Sequence, residues 1–151
     1  MVRIRIAPIL VFLAIGLPCF AQSNSEVDDL LAQVQARTDS AAYMILVASG
    51  QLGEDASPSD AYTMLLDKKW ILAAQEPSFP IKVDQYCAIV MRALGLKGGL
   101  MYSLFPGPRY AYREFVAKGF VNPSGGPKRL LPGDEVLRIL RQALDLKGVA
   151  Q

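Results

Sequence analysis

Six side chains that suit an anionic ligand are concentrated in the C-terminal part of the chain. They are four cations and two tyrosines: Arg109, Tyr110, Tyr112, Arg113, Lys128 and Arg129. A guanidinium group presents a planar fork of N–H donors that matches a carboxylate or a phosphate. The set therefore predicts a surface for an acidic sugar polymer. The alternative is an ordinary solvated face, on which long side chains lie along apolar surface with their charged ends in water.

Residues suited to catalysis are few. The 151 residues include no histidine, which is the commonest general base and metal ligand, so a nucleophilic serine or cysteine has no histidine partner. The acidic residues fall mostly in helix first turns or on polar faces, and the helix dipole accounts for Asp60, Asp84 and Asp134. No pair of carboxylates facing one cleft is indicated. We expect a protein without enzyme activity, without a cofactor and without a metal site.

The N-terminus has the organisation of a secretory signal peptide over residues 1–21. Arg3 and Arg5 supply the positive start, residues 6–17 are apolar, and the run ends in a small-residue cleavage site at Ala21. The apolar run is shorter than the roughly 20 residues that span a bilayer. We therefore expect cleavage after Ala21, no transmembrane span in the mature chain, and export to the periplasm or the cell surface.

Two other fates of this leader stay open, an uncleaved anchor and lipidation of Cys19. Lipidation is the less expected because Pro18 stands where lipoprotein signals have a small flexible residue. If Cys19 leaves with the leader, Cys87 is left alone, and we expect it to be buried and unreactive. Without Arg3 and Arg5 the formal charge of +2 falls close to zero, which argues against nucleic acid and against a polybasic membrane anchor.

Residue types recur at a fixed offset of 50 between residues 58–97 and 108–147. The matches include Ala61-Tyr62 with Ala111-Tyr112, Lys69-Trp70-Ile71 with Gly119-Phe120-Val121, and Ala93-Leu94 with Ala143-Leu144. Such matching predicts an internal repeat, here a helix, a loop and a second helix. One helix pair cannot bury its apolar face alone, so we expect both to share a core with an N-terminal helical segment at 26–50.

Helical periodicity and end signals define the expected elements. Ser57-Pro58 is a strong helix start, and Gly95 and Gly119 are credible helix ends. The segment 26–50 is either one long helix or two short ones with a break near Thr38. The other expected helices are 58–69, 83–94, 109–118 and 132–144, followed by a tail at 145–151. The prediction is an all-α protein, with residues 22–151 forming a single compact domain of about five helices.

The connector from 98 to 108 is unusually apolar for a loop. It holds Leu100, Met101, Leu104 and Phe105 between glycines and prolines. We expect it to pack back on the core. The alternative is an exposed interaction loop that contacts a partner.

The repeat unit resembles the S-layer homology (SLH) repeat. The resemblance is carried by Tyr110-Ala111-Tyr112, Lys118-Gly119-Phe120-Val121 and Glu135 with Ala143-Leu144, and in the first copy by Ala61-Tyr62, Trp70-Ile71 and Met91-Arg92-Ala93-Leu94-Gly95. Ala48-Ser49-Gly50 echoes the end of that first copy, so 39–50 resembles the second helix of a further one. The threonine and arginine that contact the glycan in the family are replaced by Lys82-Val83 and Pro132-Gly133, so those roles are not carried over.

The resemblance implies an exported, non-enzymatic protein of the cell envelope. Its expected partner is a cell-wall polysaccharide or peptidoglycan, or another envelope component, bound on the face that carries the first-helix starts and the loops. The alternative is a periplasmic structural or regulatory domain that binds a protein through the apolar loop 98–108.

Overall fold

The described part of the chain, residues 21–72 and 75–149 of a computed structural model, forms seven α-helices and no β-strand. They are α1 (Ala21–Leu31), α2 (Thr38–Ala48), α3 (Pro58–Asp67), α4 (Val83–Leu94), α5 (Leu100–Leu104), α6 (Pro108–Ala117) and α7 (Gly133–Val149). The all-α prediction is confirmed. The helix count exceeds five because 26–50 forms two helices and the apolar connector forms one. The predicted signal peptide, with Cys19, lies outside the described residues apart from Ala21.

Local sequence signals account for several helix ends. Ser57 accepts a hydrogen bond from the Asp60 N–H, and the Asp60 carboxylate accepts one from the Ser57 N–H at 2.9 Å, which is a capping box. Gly95 ends α4 in the left-handed region, with φ of 64°. The prediction of a tail at 145–151 is wrong for residues 145–149, because α7 continues to Val149. Leu144 and Leu146 are half-buried in this last part of the helix.

Three backbone segments form a closed ring of hydrogen bonds. The N–H of Ala36 donates to the carbonyl of Leu131 at 2.7 Å, that of Ile81 to Ala36 at 2.9 Å, and that of Leu131 to Ile81 at 3.2 Å. All three side chains are fully buried. This ring explains why 26–50 breaks into α1 and α2, because Ala36 must leave the helix to reach both neighbouring segments.

The segments that form the ring also pair with the first N–H groups of three helices, which have no hydrogen-bond acceptor within their own helix. Arg37 and Lys82, which precede α2 and α4, make no side-chain cap. Carbonyls of another segment accept instead: Thr38 N–H bonds to Phe79 at 2.9 Å, Val83 N–H to Arg129 at 3.0 Å, and Gly133 N–H to Gln33 at 3.0 Å. The first donors of α2, α4 and α7, which a helix leaves unpaired, are thus capped by distant parts of the chain.

Helix α4 is the centre of the core and packs against α2, α6 and α7. Only Gln85 and Arg92 of its twelve residues are not buried. The hydroxyl of fully buried Tyr86 donates to the carbonyl of Val136 at 2.7 Å, so the core accommodates this polar group with its hydrogen bond made.

Among the described residues, no helix combines the length and the apolar character that a membrane span requires.

The close approach of Gly133 to α1 predicts that Gly133→Ala is strongly destabilising. A Cβ at this position would lie 1.8 Å from the carbonyl oxygen of Leu30, and a backbone atom cannot move aside as a side chain can. We expect the free energy of unfolding to fall by about 3 kcal/mol in urea titration. Gly148→Ala in the same helix meets nothing within 4 Å and should raise it by up to about 1 kcal/mol. Equal effects of the two changes would contradict the close approach at Gly133.

Candidate functional site

A groove of about 470 Å³ is lined by four cations, and we call it the cationic groove. The turn after α3, the segment before α4, α4 itself, the first residue of α6 and the segment before α7 contribute to it. Its polar and aromatic lining residues are Lys69, Trp70, Lys82, Gln85, Arg92 and Lys128. Ile71, Leu72, Ala88 and Pro108 complete the wall.

Backbone and side-chain hydrogen bonds hold the groove wall in place. The Trp70 N–H donates to the carbonyl of Leu65 at 2.9 Å, which closes the end of α3. The guanidinium of Arg92 donates to the carbonyl of Trp70 at 3.3 Å and so ties α4 to that turn. The ammonium of Lys68 lies 5.3 Å from the centroid of the Trp70 ring, a cation–π contact that supports the indole.

The charge of the groove is only partly balanced. Lys128 Nζ lies 2.6 Å from a carboxylate oxygen of Asp84, whose side chain is 2 % exposed while that of Lys128 is 71 % exposed. No ion pair to Lys69, Lys82 or Arg92 exists among the described residues. The groove therefore carries a positive excess beside an aromatic ring, a combination that suits an anionic ligand.

Lys69 has an unusual backbone. Its φ is 55°, and it is the only non-glycine residue with a positive φ in the described part of the chain. The residue at offset 50 is Gly119, with φ of 74°. A residue with a Cβ destabilises the fold by roughly 1–2 kcal/mol in this left-handed region, whereas glycine does not. Strain of this kind is often found at functional sites.

The six residues predicted to bind an anion do not share one surface. Lys128 lies in the cationic groove, but both guanidinium nitrogens of Arg129 that face Glu135 donate to its carboxylate at 2.6 Å. Tyr112 is buried, and its hydroxyl donates to the carbonyl of Pro123 at 3.4 Å. Arg129 and Tyr112 are therefore engaged within the protein.

The other three predicted residues lie on α6. Arg109 is exposed at its first turn. Tyr110 and Arg113 line a shallow depression of about 300 Å³ together with Leu100 and Met101 of α5. Tyr110 and Arg113 thus border α5, whereas Lys128 belongs to the groove.

Sequence reasoning missed Lys69, Lys82 and Arg92 as groove residues. The sequence did contain a signal for Lys69. The offset of 50 pairs it with Gly119, which stands at a helix end where glycine is the preferred residue. Lys82 and Arg92 carry no such local signal, because they reach Lys128 only through the packing of the segments before α4 and α7.

The apolar connector does not pack back on the core as expected. Helix α5 exposes Leu100 by 75 %, Met101 by 45 % and Leu104 by 60 %, and the following Phe105 by 61 %. Tyr102 alone of this segment packs against the core. The interior side of so short a helix is filled by that one ring, so the remaining apolar side chains point to solvent.

Cys87 is a free, fully buried cysteine in α4. Burial raises the pKa of its thiol well above the ordinary range, with a further contribution from the charge of Asp84. The thiolate is therefore disfavoured. The expectation that Cys87 is buried is confirmed.

Comparison of the chain with protein-family models, curated proteins and solved structures gave no match.

The Arg129–Glu135 pair predicts an acid-sensitive contribution to stability. The hydrogen bonds from Arg129, then its charge and that of Arg138, lower the pKa of Glu135. A carboxyl whose pKa is lower in the folded protein stabilises the fold at pH values above its unfolded pKa of about 4.3. This contribution to stability is lost as the pH falls through the pKa of the folded protein. Glu135→Gln should lower the free energy of unfolding at pH 7 by about 1–3 kcal/mol and flatten its fall below pH 4. The control is Asp145→Asn, at an exposed position of α7; a Glu135→Gln protein as stable as this control would contradict the prediction.

The left-handed backbone at Lys69 predicts that Lys69→Gly stabilises the protein. Relief of the strained φ outweighs the added entropy of glycine in the unfolded chain, so we expect a gain of about 0.5–1 kcal/mol in thermal unfolding. Lys118→Gly is the matched control, because Lys118 ends α6 with φ of −82° and glycine there adds only entropy to the unfolded state. A loss of stability in Lys69→Gly would show that the lysine is not strained.

Proposed function

We propose that the protein is an exported, non-enzymatic module of the cell envelope that binds an acidic cell-wall polymer in the cationic groove. The observation that supports this best is the convergence of Lys69, Lys82 and Arg92, none of them ion-paired among the described residues, beside Trp70. A polymer with one negative charge per repeating unit would engage several of these cations at once. Export rests on the predicted signal peptide at 1–21.

The proposal includes a threefold SLH-like repeat, with α1–α2 as a copy in addition to 58–97 and 108–147. Equivalent positions in the ring support it. Asp39 N–H donates to the carbonyl of Pro77 at 3.1 Å, and Asp84 N–H donates to that of Pro127 at 3.0 Å. Helices α2 and α4 are each followed by a left-handed glycine, Gly50 and Gly95, with φ of 72° and 64°. Three helix pairs that cap one another would bury the apolar faces that a single pair leaves open.

A second function is favoured by the exposure of α5. An apolar surface of this kind marks an interaction site, in keeping with a structural or regulatory role through the loop 98–108 in the periplasm. This role uses residues outside the cationic groove, so the two functions are separable by mutation.

The test of the groove is co-sedimentation of the protein, as the cell processes it, with purified cell-wall sacculi from its own source at low and moderate salt. We expect binding that weakens as salt rises. Lys69→Gln with Lys82→Gln removes two groove charges and should weaken binding about tenfold or more, since each charged contact contributes roughly 1.5–3 kcal/mol. Arg129 is unsuitable as a probe because its change breaks the Glu135 pair, whereas Arg109→Ala tests the exposed cation of α6.

The control is Lys118→Gln with Arg141→Gln, which removes the same charge from exposed positions outside the groove. Equal weakening by both double variants would reduce the binding to unspecific charge. A protein that stays in the supernatant at both salts would contradict wall binding altogether.

A further inference from the structure

Helix α5 and Phe105 expose a group of apolar side chains, which we call the α5 patch. Its members are Leu100, Met101, Leu104 and Phe105, each close to half exposed or more. Leu100 and Leu104 are one helical turn apart and share a face. Large apolar side chains clustered in this way are expected where a protein meets another apolar phase.

The α5 patch is not needed to join the helices on either side of it. The chain passes from Gly50, after α2, to Pro58 at the start of α3 without a helix, and from Gly95, after α4, to Pro108 at the start of α6. The second connection is longer by five residues, the length of α5. An insertion between otherwise similar helix pairs that places apolar side chains in solvent indicates an interaction surface.

The patch is held in a fixed orientation on α6. The Gly99 N–H donates to a carboxylate oxygen of Glu114 at 2.8 Å, and the ring of Phe105 lies 6.3 Å from that of Tyr110. Tyr102 packs inward, and a Cβ at Gly98 would lie 2.7 Å from it. The apolar side chains therefore face outward from an anchored helix.

The charges around the α5 patch are predominantly positive. Residues 97–113 include three cations, Lys97, Arg109 and Arg113, and no acidic residue. All three are exposed, and Arg113 lines the depression that Leu100 and Met101 also line. Glu114 lines the same depression and accepts a hydrogen bond from the Gly99 N–H, so one negative charge stands against the three cations. The segment that holds the patch thus has a net positive charge, which we call the positive rim, although the chain as a whole is nearly neutral.

We propose that the α5 patch docks onto the surface of an anionic lipid bilayer. Leu100, Leu104 and Phe105 enter the headgroup region, and Arg109 and Arg113 contact the lipid phosphates. Interfacial binding of this type combines buried apolar area with attraction to anionic lipid. Docking of two copies through the same patch is disfavoured, because it would bring the positive rims together. The inference does not depend on wall binding, since the cationic groove takes no part in it.

The test is co-sedimentation of the full processed protein with vesicles of phosphatidylglycerol and phosphatidylcholine, and with vesicles of phosphatidylcholine alone, at low and moderate salt. We expect binding to the anionic vesicles that weakens with salt. Leu100→Ser with Leu104→Ser should weaken it at least tenfold, because each buried leucine contributes to partitioning. Both residues are exposed, so the thermal unfolding of this variant should match that of the unchanged protein.

The matched control is Leu31→Ser with Val34→Ser, which removes exposed apolar side chains from outside both the patch and the cationic groove and should leave vesicle binding unchanged. All proteins share the same N-terminus, so a difference between the double variants is due to α5. No binding to anionic vesicles, equal binding to neutral ones, or equal binding of the two double variants would overturn the proposal. Concentration-dependent dimers that the Leu100→Ser, Leu104→Ser change abolishes would assign the patch to self-association instead.

Discussion

The described structure depends on the ring of backbone hydrogen bonds through Ala36, Ile81 and Leu131. Each of the three segments both donates to one neighbour and accepts from the other, so none has its bonds satisfied without the other two. The N-termini of α2, α4 and α7 are capped by the same set of segments. Distant parts of the chain must therefore come together in one cooperative event, because a single helix pair would leave buried amide groups unpaired.

The ring also organises charge. Three carboxylates near the starts of the helices that follow it are each paired with a cation: Asp39 with Arg37, Asp84 with Lys128, and Glu135 with Arg129. The Lys128–Asp84 pair joins residues 44 positions apart and brings Lys128 beside Lys82. The cationic groove is thus a consequence of the ring, because the adjoining segments bring lysines from two loops to one wall.

Both surfaces that we propose as binding sites lie where the regular pattern of the chain is broken. Lys69 stands at a left-handed position, and the residue 50 positions later, Gly119, is a left-handed glycine. Helix α5 lies in a connection that is longer than the one between α2 and α3. Each departure works against stability or solubility, the first through backbone strain and the second through exposed apolar surface. Departures from local consistency of this kind are expected at functional sites.

The sequence by itself determined the all-α class, the start of α3 at Pro58 and the bounds of α4, because periodicity, caps and glycine stops act over a few residues. It also showed that the connector 98–108 is apolar. It left two alternatives, packing on the core and exposure to solvent, and the structure shows exposure. The sequence also offered a break of 26–50 near Thr38, where α2 begins, as one of two alternatives. Only the tertiary structure decided between them, and only it decided the extension of α7, the pairing of Arg129 with Glu135, and the meeting of Lys69, Lys82, Arg92 and Lys128. These depend on bonds between segments far apart in the chain, for which composition and spacing carry no local signal, so the predicted cluster of six divided among the interior, the groove and the border of α5.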